Sequence, residues 1–121
     1  MDSPVVTALK QERRLLKEIL HFAVRELEML EFGRFEEVEM LLLHRAERME
    51  HVSVTEANVY EKMSEILNDT SLSAEELAEL HDLSLQVIKL ADCIVAIDEW
   101  TSEVADAGDH FVMPAKPNLV V

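Results

Sequence analysis

From Val5 to Ala107 the chain contains no proline and a single glycine, Gly33. Nothing in that span forbids helix except one residue, so nearly the whole sequence is free to run as long uninterrupted helix. Its apolar residues recur three and four apart rather than two apart, most plainly at Leu80, Leu83, Val87, Leu90, Ile94 and Ile97. That alternation of three and four is a coiled-coil seam. The fold expected is all-α: three long helices in an antiparallel coiled-coil bundle, followed by an extended C-terminal tail.

The first helix is expected over about 5–32. Ser3-Pro4 supplies a cap residue followed by proline at the first helical position. Leu9, Leu16, Leu20, Ala23, Leu27 and Leu30 form its seam, and a second stripe at Leu15, Ile19 and Phe22 widens the apolar face enough to touch two neighbours. Gly33 tolerates positive φ, the usual way to end a helix, and the pattern restarts at Phe35. A tight αα-hairpin is expected there. The competing reading carries the helix through Gly33 at about 1 kcal/mol relative to alanine.

A second helix over 34–67 has its seam at Val38, Leu42, Met49, Val52, Val59, Met63 and Ile66, with Arg45 among them. Arg45 either pairs with a carboxylate across the seam or extends its charged head to water. The stretch Asn68-Asp69-Thr70-Ser71-Leu72-Ser73 is rich in turn residues, and Ser73-Ala74-Glu75-Glu76 is a capping box that opens a third helix over 73–107. Residues 1–107 read as one domain, since the whole chain of 121 residues is too short for two cores. Residues 108–121 hold Gly108, Pro114 and Pro117, show no helical period and read as an extended or disordered tail, which packs over the bundle end, stays disordered, or serves as a docking or self-blocking segment.

A net charge of −14 repels phosphate backbones and anionic lipid, so neither nucleic acid nor a membrane surface is an expected partner. The charge is uneven, because Lys89 and Lys116 are the sole Lys or Arg residues after Lys62. The C-terminal half therefore suits a basic or amphipathic partner. No cationic-then-apolar leader opens the sequence, and Cys93 is its lone cysteine, so a cytoplasmic, reducing location is expected.

Two acidic patterns have the spacing of metal sites. Glu75-Glu76-x-x-Glu79 with Glu103-x-x-Asp106 matches the magnesium-binding pattern of all-α nucleotide pyrophosphohydrolases, which take carboxylates from two facing helices. On one continuous helix Glu79 and Glu103 stand roughly 36 Å apart, too far to share an ion; the enzyme reading needs a break near Asp92 to Asp98. Glu18-x-x-His21 has di-iron spacing but occurs once, and His44, Glu47 and His51 do not repeat its order. With no nucleophile motif or phosphate-binding glycine loop, the reading is a non-enzymatic protein without metal or other cofactor, Cys93 being a small buried hydrophobe.

What remains is surface. Besides its seam, the third helix carries Leu85, Ile88, Ala91, Val95 and Ala96, more apolar circumference than one packed face requires. The tail, a second copy in a homodimer, or a client protein must cover the excess. The partner-binding residues expected are Leu80, Leu83, Val87, Leu90, Ile94, Ile97 and Trp100, with Trp100 either an anchor for the partner or a cap on the bundle's own end.

Leu15-Leu16-Lys17-Glu18, then Leu27-Glu-Met-Leu30-Glu-Phe-Gly33-Arg-Phe35-Glu-Glu-Val38, then Leu41-Leu42-Leu43-His-Arg45-Ala-Glu-Arg48-Met49 resemble the FlgN/FliT-type flagellar export chaperones. The resemblance covers about residues 9–104. It implies a cytoplasmic helical chaperone that holds late flagellar substrates, such as hook-associated or cap proteins, through their amphipathic C-terminal helices before secretion. It also implies a client surface within the Leu80 to Val104 stretch. The alternatives are the metal-dependent hydrolase above and a purely structural coiled-coil subunit.

Overall fold

The structure, a computed structural model, describes residues 3–67 and 72–107. It contains α1 (Pro4–Glu31), α2 (Phe35–Leu67) and α3 (Ala74–Ala107). The three-helix expectation is met. The turn expected at 68–71 and the tail at 108–121 lie outside the described residues.

Three helix ends have a local cause on view. The Val6 N–H donates to Ser3 Oγ at 3.4 Å, and Pro4 needs no donor partner there. At the other end of α1, Gly33 adopts φ 71°, its N–H donates to the Leu30 carbonyl and the Arg34 N–H to the Met29 carbonyl. These two bonds form a Schellman motif and end the helix at the one residue that reaches left-handed φ without strain. The hairpin reading of Gly33 is therefore the one observed. At α3, the Glu76 N–H donates to Ser73 Oγ at 3.1 Å and the Ser73 hydroxyl donates to Glu76 Oε1, so the expected cap is in place.

α1 is the central element. It approaches both neighbours to within 8 Å between Cα atoms, whereas among the described residues no Cα of α2 comes that close to one of α3. Its broad apolar face explains this placement: Leu9, Leu15, Leu16, Ile19, Ala23 and Leu27 are all buried, so both of the stripes expected for this helix face the core. Two clusters carry the packing. One joins Leu15, Leu16 and Ile19 of α1 to Val52 of α2 and Leu90 and Ile94 of α3. The other joins Val5, Val6 and Leu9 to Leu80 and Leu83, with Val59, Met63 and Ile66 against it. The pairings show α2 running antiparallel to α1 and α3 running parallel to it. No described helix is long and apolar enough to cross a membrane.

Of the expected α2 seam, Val38 and Val52 are buried and Val59, Met63 and Ile66 pack against the core, but two members depart from it. Leu42 and Met49 are 45% and 42% exposed, while Arg45 and Arg48, with exposure of 17% and 32%, turn toward α1. Charge supplied by α1, together with Asp98 of α3, favours this rotation. Glu18 accepts from Arg48 at 2.9 Å and Glu26 lies 3.5 Å from Arg45, so the two arginines have partners on the inside that water would otherwise have to replace.

Candidate interaction face

The seven α3 residues expected to meet a partner are placed by the structure against the chain's own core. Leu80, Leu83, Leu90, Ile94, Ile97 and Trp100 are buried, and Val87 is half-buried against both clusters. They are therefore no free surface in the folded single chain. Trp100 lies at 4% exposure, which makes it part of the bundle's distal packing rather than an outward anchor. Cys93 is buried, as a small hydrophobe would be.

The apolar excess lies elsewhere, and helix geometry locates it. Successive residues turn by about 100°. On α2, Arg48 and His44 face α1, because Arg48 meets Glu18 and the His44 ring stacks on Phe22 at 5.9 Å. Leu42, Met49 and Tyr60 are rotated the opposite way from Arg45, by roughly 40–60°, and so lie along the side that looks across to α3. All three are exposed. On α3, Glu79 and Gln86 reach Lys10 and Arg13 of α1. Leu77, Ile88 and Val95 lie on the other side of Asp98 from that pair, roughly 60–80° further round. They too are exposed, Ile88 and Val95 at 55% each.

Two exposed apolar stripes, one from α2 and one from α3, thus border the single side of the bundle on which the backbones stand apart. Arg45 spans that gap near its distal end. Its Nη1 donates to Asp98 Oδ1 at 2.6 Å and its Nη2 to Asp98 Oδ2, while Nη1 also lies 3.5 Å from Glu26 Oε2. Beside this bridge is a depression of about 390 Å³ lined by Leu30, Val38, Arg45, Asp98 and Thr101 among others. The hydrogen bonds that Arg45 donates to Asp98, with the charge of that carboxylate, raise the Arg45 pKa against the opposing effect of burial. Burial raises the Glu26 pKa, with the Asp98 charge adding to it, even though Arg45 pulls the other way. The fork on Asp98 is bidentate and that on Glu26 is long, so Asp98 holds the stronger share of the cation.

The carboxylate patterns are placed as follows. α3 is unbroken from Ala74 to Ala107, through the Asp92 to Asp98 stretch where the hydrolase reading required a break. Glu79 and Glu103 consequently sit at opposite ends of one helix. Of the Glu18/His21 pattern, Glu18 is engaged by Arg48 of α2, while the His21 ring lies 6.4 Å from that of its α1 neighbour Phe22, which stacks on His44. Among the described residues no three of His, Cys, Asp or Glu are grouped as ligands for a metal ion.

Sequence reasoning missed Leu42, Met49 and Tyr60 as surface residues, and the available signal was Arg45 itself. A seam through an arginine at that position implied acidic partners inside, and with them a different rotation of α2. Compared with known proteins, the chain matches no family model, no curated protein and no solved structure.

Proposed function

We propose that this chain is a non-catalytic binding module of the export-chaperone kind, which shelters an amphipathic helix of a client protein against its open α2–α3 face. The observation that carries the reading is the pair of exposed stripes, Leu42, Met49 and Tyr60 opposite Leu77, Ile88 and Val95. Parallel apolar ridges separated by more than ordinary packing distance are the surface into which an amphipathic helix lays its own stripe. Folding of the single chain leaves them in water, and a bound helix would remove them from it at about 25 cal/mol per Å² of apolar area. The resemblance to flagellar export chaperones supports a late flagellar substrate as the client and a cytoplasmic place of action. The site of binding in this proposal is the gap between α2 and α3, not the buried seam residues.

The test uses the full chain and the isolated C-terminal helices of hook-associated and cap proteins. Complex formation is followed by sedimentation, and suppression of client aggregation by light scattering. A one-to-one complex with at least one such helix is expected. Ile88→Ser and Met49→Ser should weaken it while far-UV circular dichroism stays unchanged. Should the chain instead self-associate through this face and bind none of the helices, the structural-subunit reading replaces the chaperone one.

A further inference from the structure

We infer that the open α2–α3 face is selective for a cationic amphipathic helix, one whose apolar stripe is flanked on both sides by Lys or Arg. This rests on the reading that the face holds a helix and adds the chemistry by which it chooses one. Along the outer edges of the two stripes stand four exposed carboxylates, Glu39 and Glu50 on α2 and Asp92 and Glu99 on α3. Counting from the level of the Arg45–Asp98 pair in two antiparallel helices, Glu50 stands level with Asp92 to within one residue. Glu99 lies seven residues beyond Asp92 on the same helix, a rise of about 10 Å or two turns. The carboxylates therefore fall on both banks of the groove at turn-repeat spacing.

The cations of the two helices are turned away from this face or already paired. Arg45 is held between Asp98 and Glu26, and Arg48 by Glu18. Arg34 pairs with Glu37, and Lys62 pairs with Glu65 on the flank it shares with Thr7 and Gln11 of α1. Lys89, the lone Lys or Arg of α3, is three residues from both Gln86 on the α1 flank and Asp92 on the bank, so it stands on the back of α3 behind the acidic edge and not on the apolar stripe. An apolar floor between two acidic banks attracts basic side chains on the occupant and repels acidic ones.

The same charge argues against the other occupants. Two copies of a chain of net charge −14, pressed together through this face, would bring both sets of carboxylates into one desolvated contact. The segment 108–121 carries one lysine, Lys116, and one aspartate, Asp109, and so brings no net positive charge to the banks.

The experiment titrates the full chain against three fluorescent helical peptides of about 18 residues, identical in their Leu/Ile stripe and flanked by Lys, Gln or Glu. Anisotropy is read at about 50 mM and about 300 mM salt. The Lys-flanked peptide should bind on the order of tenfold more tightly than the Gln-flanked one at low salt and lose most of that advantage at high salt. The E50Q/D92N double variant should abolish the preference without changing helicity. Equal affinity for the Lys and Gln peptides overturns the charge selectivity and leaves the helix-binding reading standing. Failure of all three peptides overturns that reading itself. Unchanged Lys-peptide binding by M49S and I88S means the peptide sits elsewhere on the acidic surface, which also overturns the inference. Concentration-dependent self-association that blocks the peptide identifies a second copy as the occupant. A large gain in affinity from F111S/M113S identifies the chain's own tail. Either result displaces the cationic helix from this site.

Discussion

Arg45 of α2 makes a bidentate ion pair with Asp98 of α3 across the side of the bundle where the two backbones stand apart, and leans on Glu26 of α1 as it does so. Three helices are thereby linked through one guanidinium. Its planar fork can serve two carboxylates in a fixed direction, which a lysine could not do.

Removing that cation leaves two carboxylates facing each other in partial burial. Arg45→Met is expected to destabilise the bundle by about 2 kcal/mol, below the roughly 3–5 kcal/mol of a fully buried pair because Asp98 is 39% exposed. Urea unfolding measures it. The triple variant R45M/E26Q/D98N should recover much of the loss, since no uncompensated charge remains; equal instability of the single and triple variants would show that the ionic link contributes little.

The buried and exposed stripes of α3 should respond in opposite ways. Leu90→Ala, at a residue 1% exposed, is expected to cost about 2–5 kcal/mol. Ile88→Ala, two residues away, should change stability by about 0.5 kcal/mol or less. Leu83→Asp and Ile94→Asp should unfold the chain outright, as loss of far-UV ellipticity, because both would bury a charge in the core clusters.

Gly33 tests the hairpin. A Cβ built there meets nothing within 4 Å, so Gly33→Ala carries only the cost of positive φ. That cost is about 1–2 kcal/mol, and it should appear as a lower urea midpoint with unchanged m-value.

Glu12 sets a pH dependence. It is buried on α1, and burial first, then the charge of Glu56 across the α1–α2 contact, raises its pKa. A carboxyl whose folded value exceeds its unfolded one binds more protons when folded, so its contribution to stability is greatest below the ordinary carboxylate range. It is lost as pH rises through the raised value. Glu12→Gln, which keeps the neutral shape, should therefore melt at a higher temperature than the parent at pH 7. The gap should close as pH falls below the ordinary range, and a gap independent of pH would rule out this origin.

The helices and their ends were legible in the sequence because both are local properties. A proline-free span, Ser3-Pro4, Gly33 and the Ser73 capping box act through residues within four positions of themselves, and each is found where local chemistry puts it. The seam of α3 was legible for the same reason, as a period. The rotation of α2 was not. Its expected seam runs through Val38, Leu42, Arg45, Met49 and Val52 alike, and periodicity cannot tell that the helix turns Arg48 inward and Leu42 and Met49 to the edge while Val38 and Val52 stay buried.

Sequence alone thus determined that three helices form, where the described ends fall and which α3 residues share a stripe. Tertiary structure alone decided what each stripe meets. Glu18 and Glu26 on α1 and Asp98 on α3 draw the arginines of α2 inward, Leu42 and Met49 are turned out as a result, and the seam expected to face a partner closes on α1 instead. The physical reason is range: a helix is specified by hydrogen bonds between near neighbours in the chain, whereas the choice of buried face depends on charges and volumes supplied by helices distant in sequence.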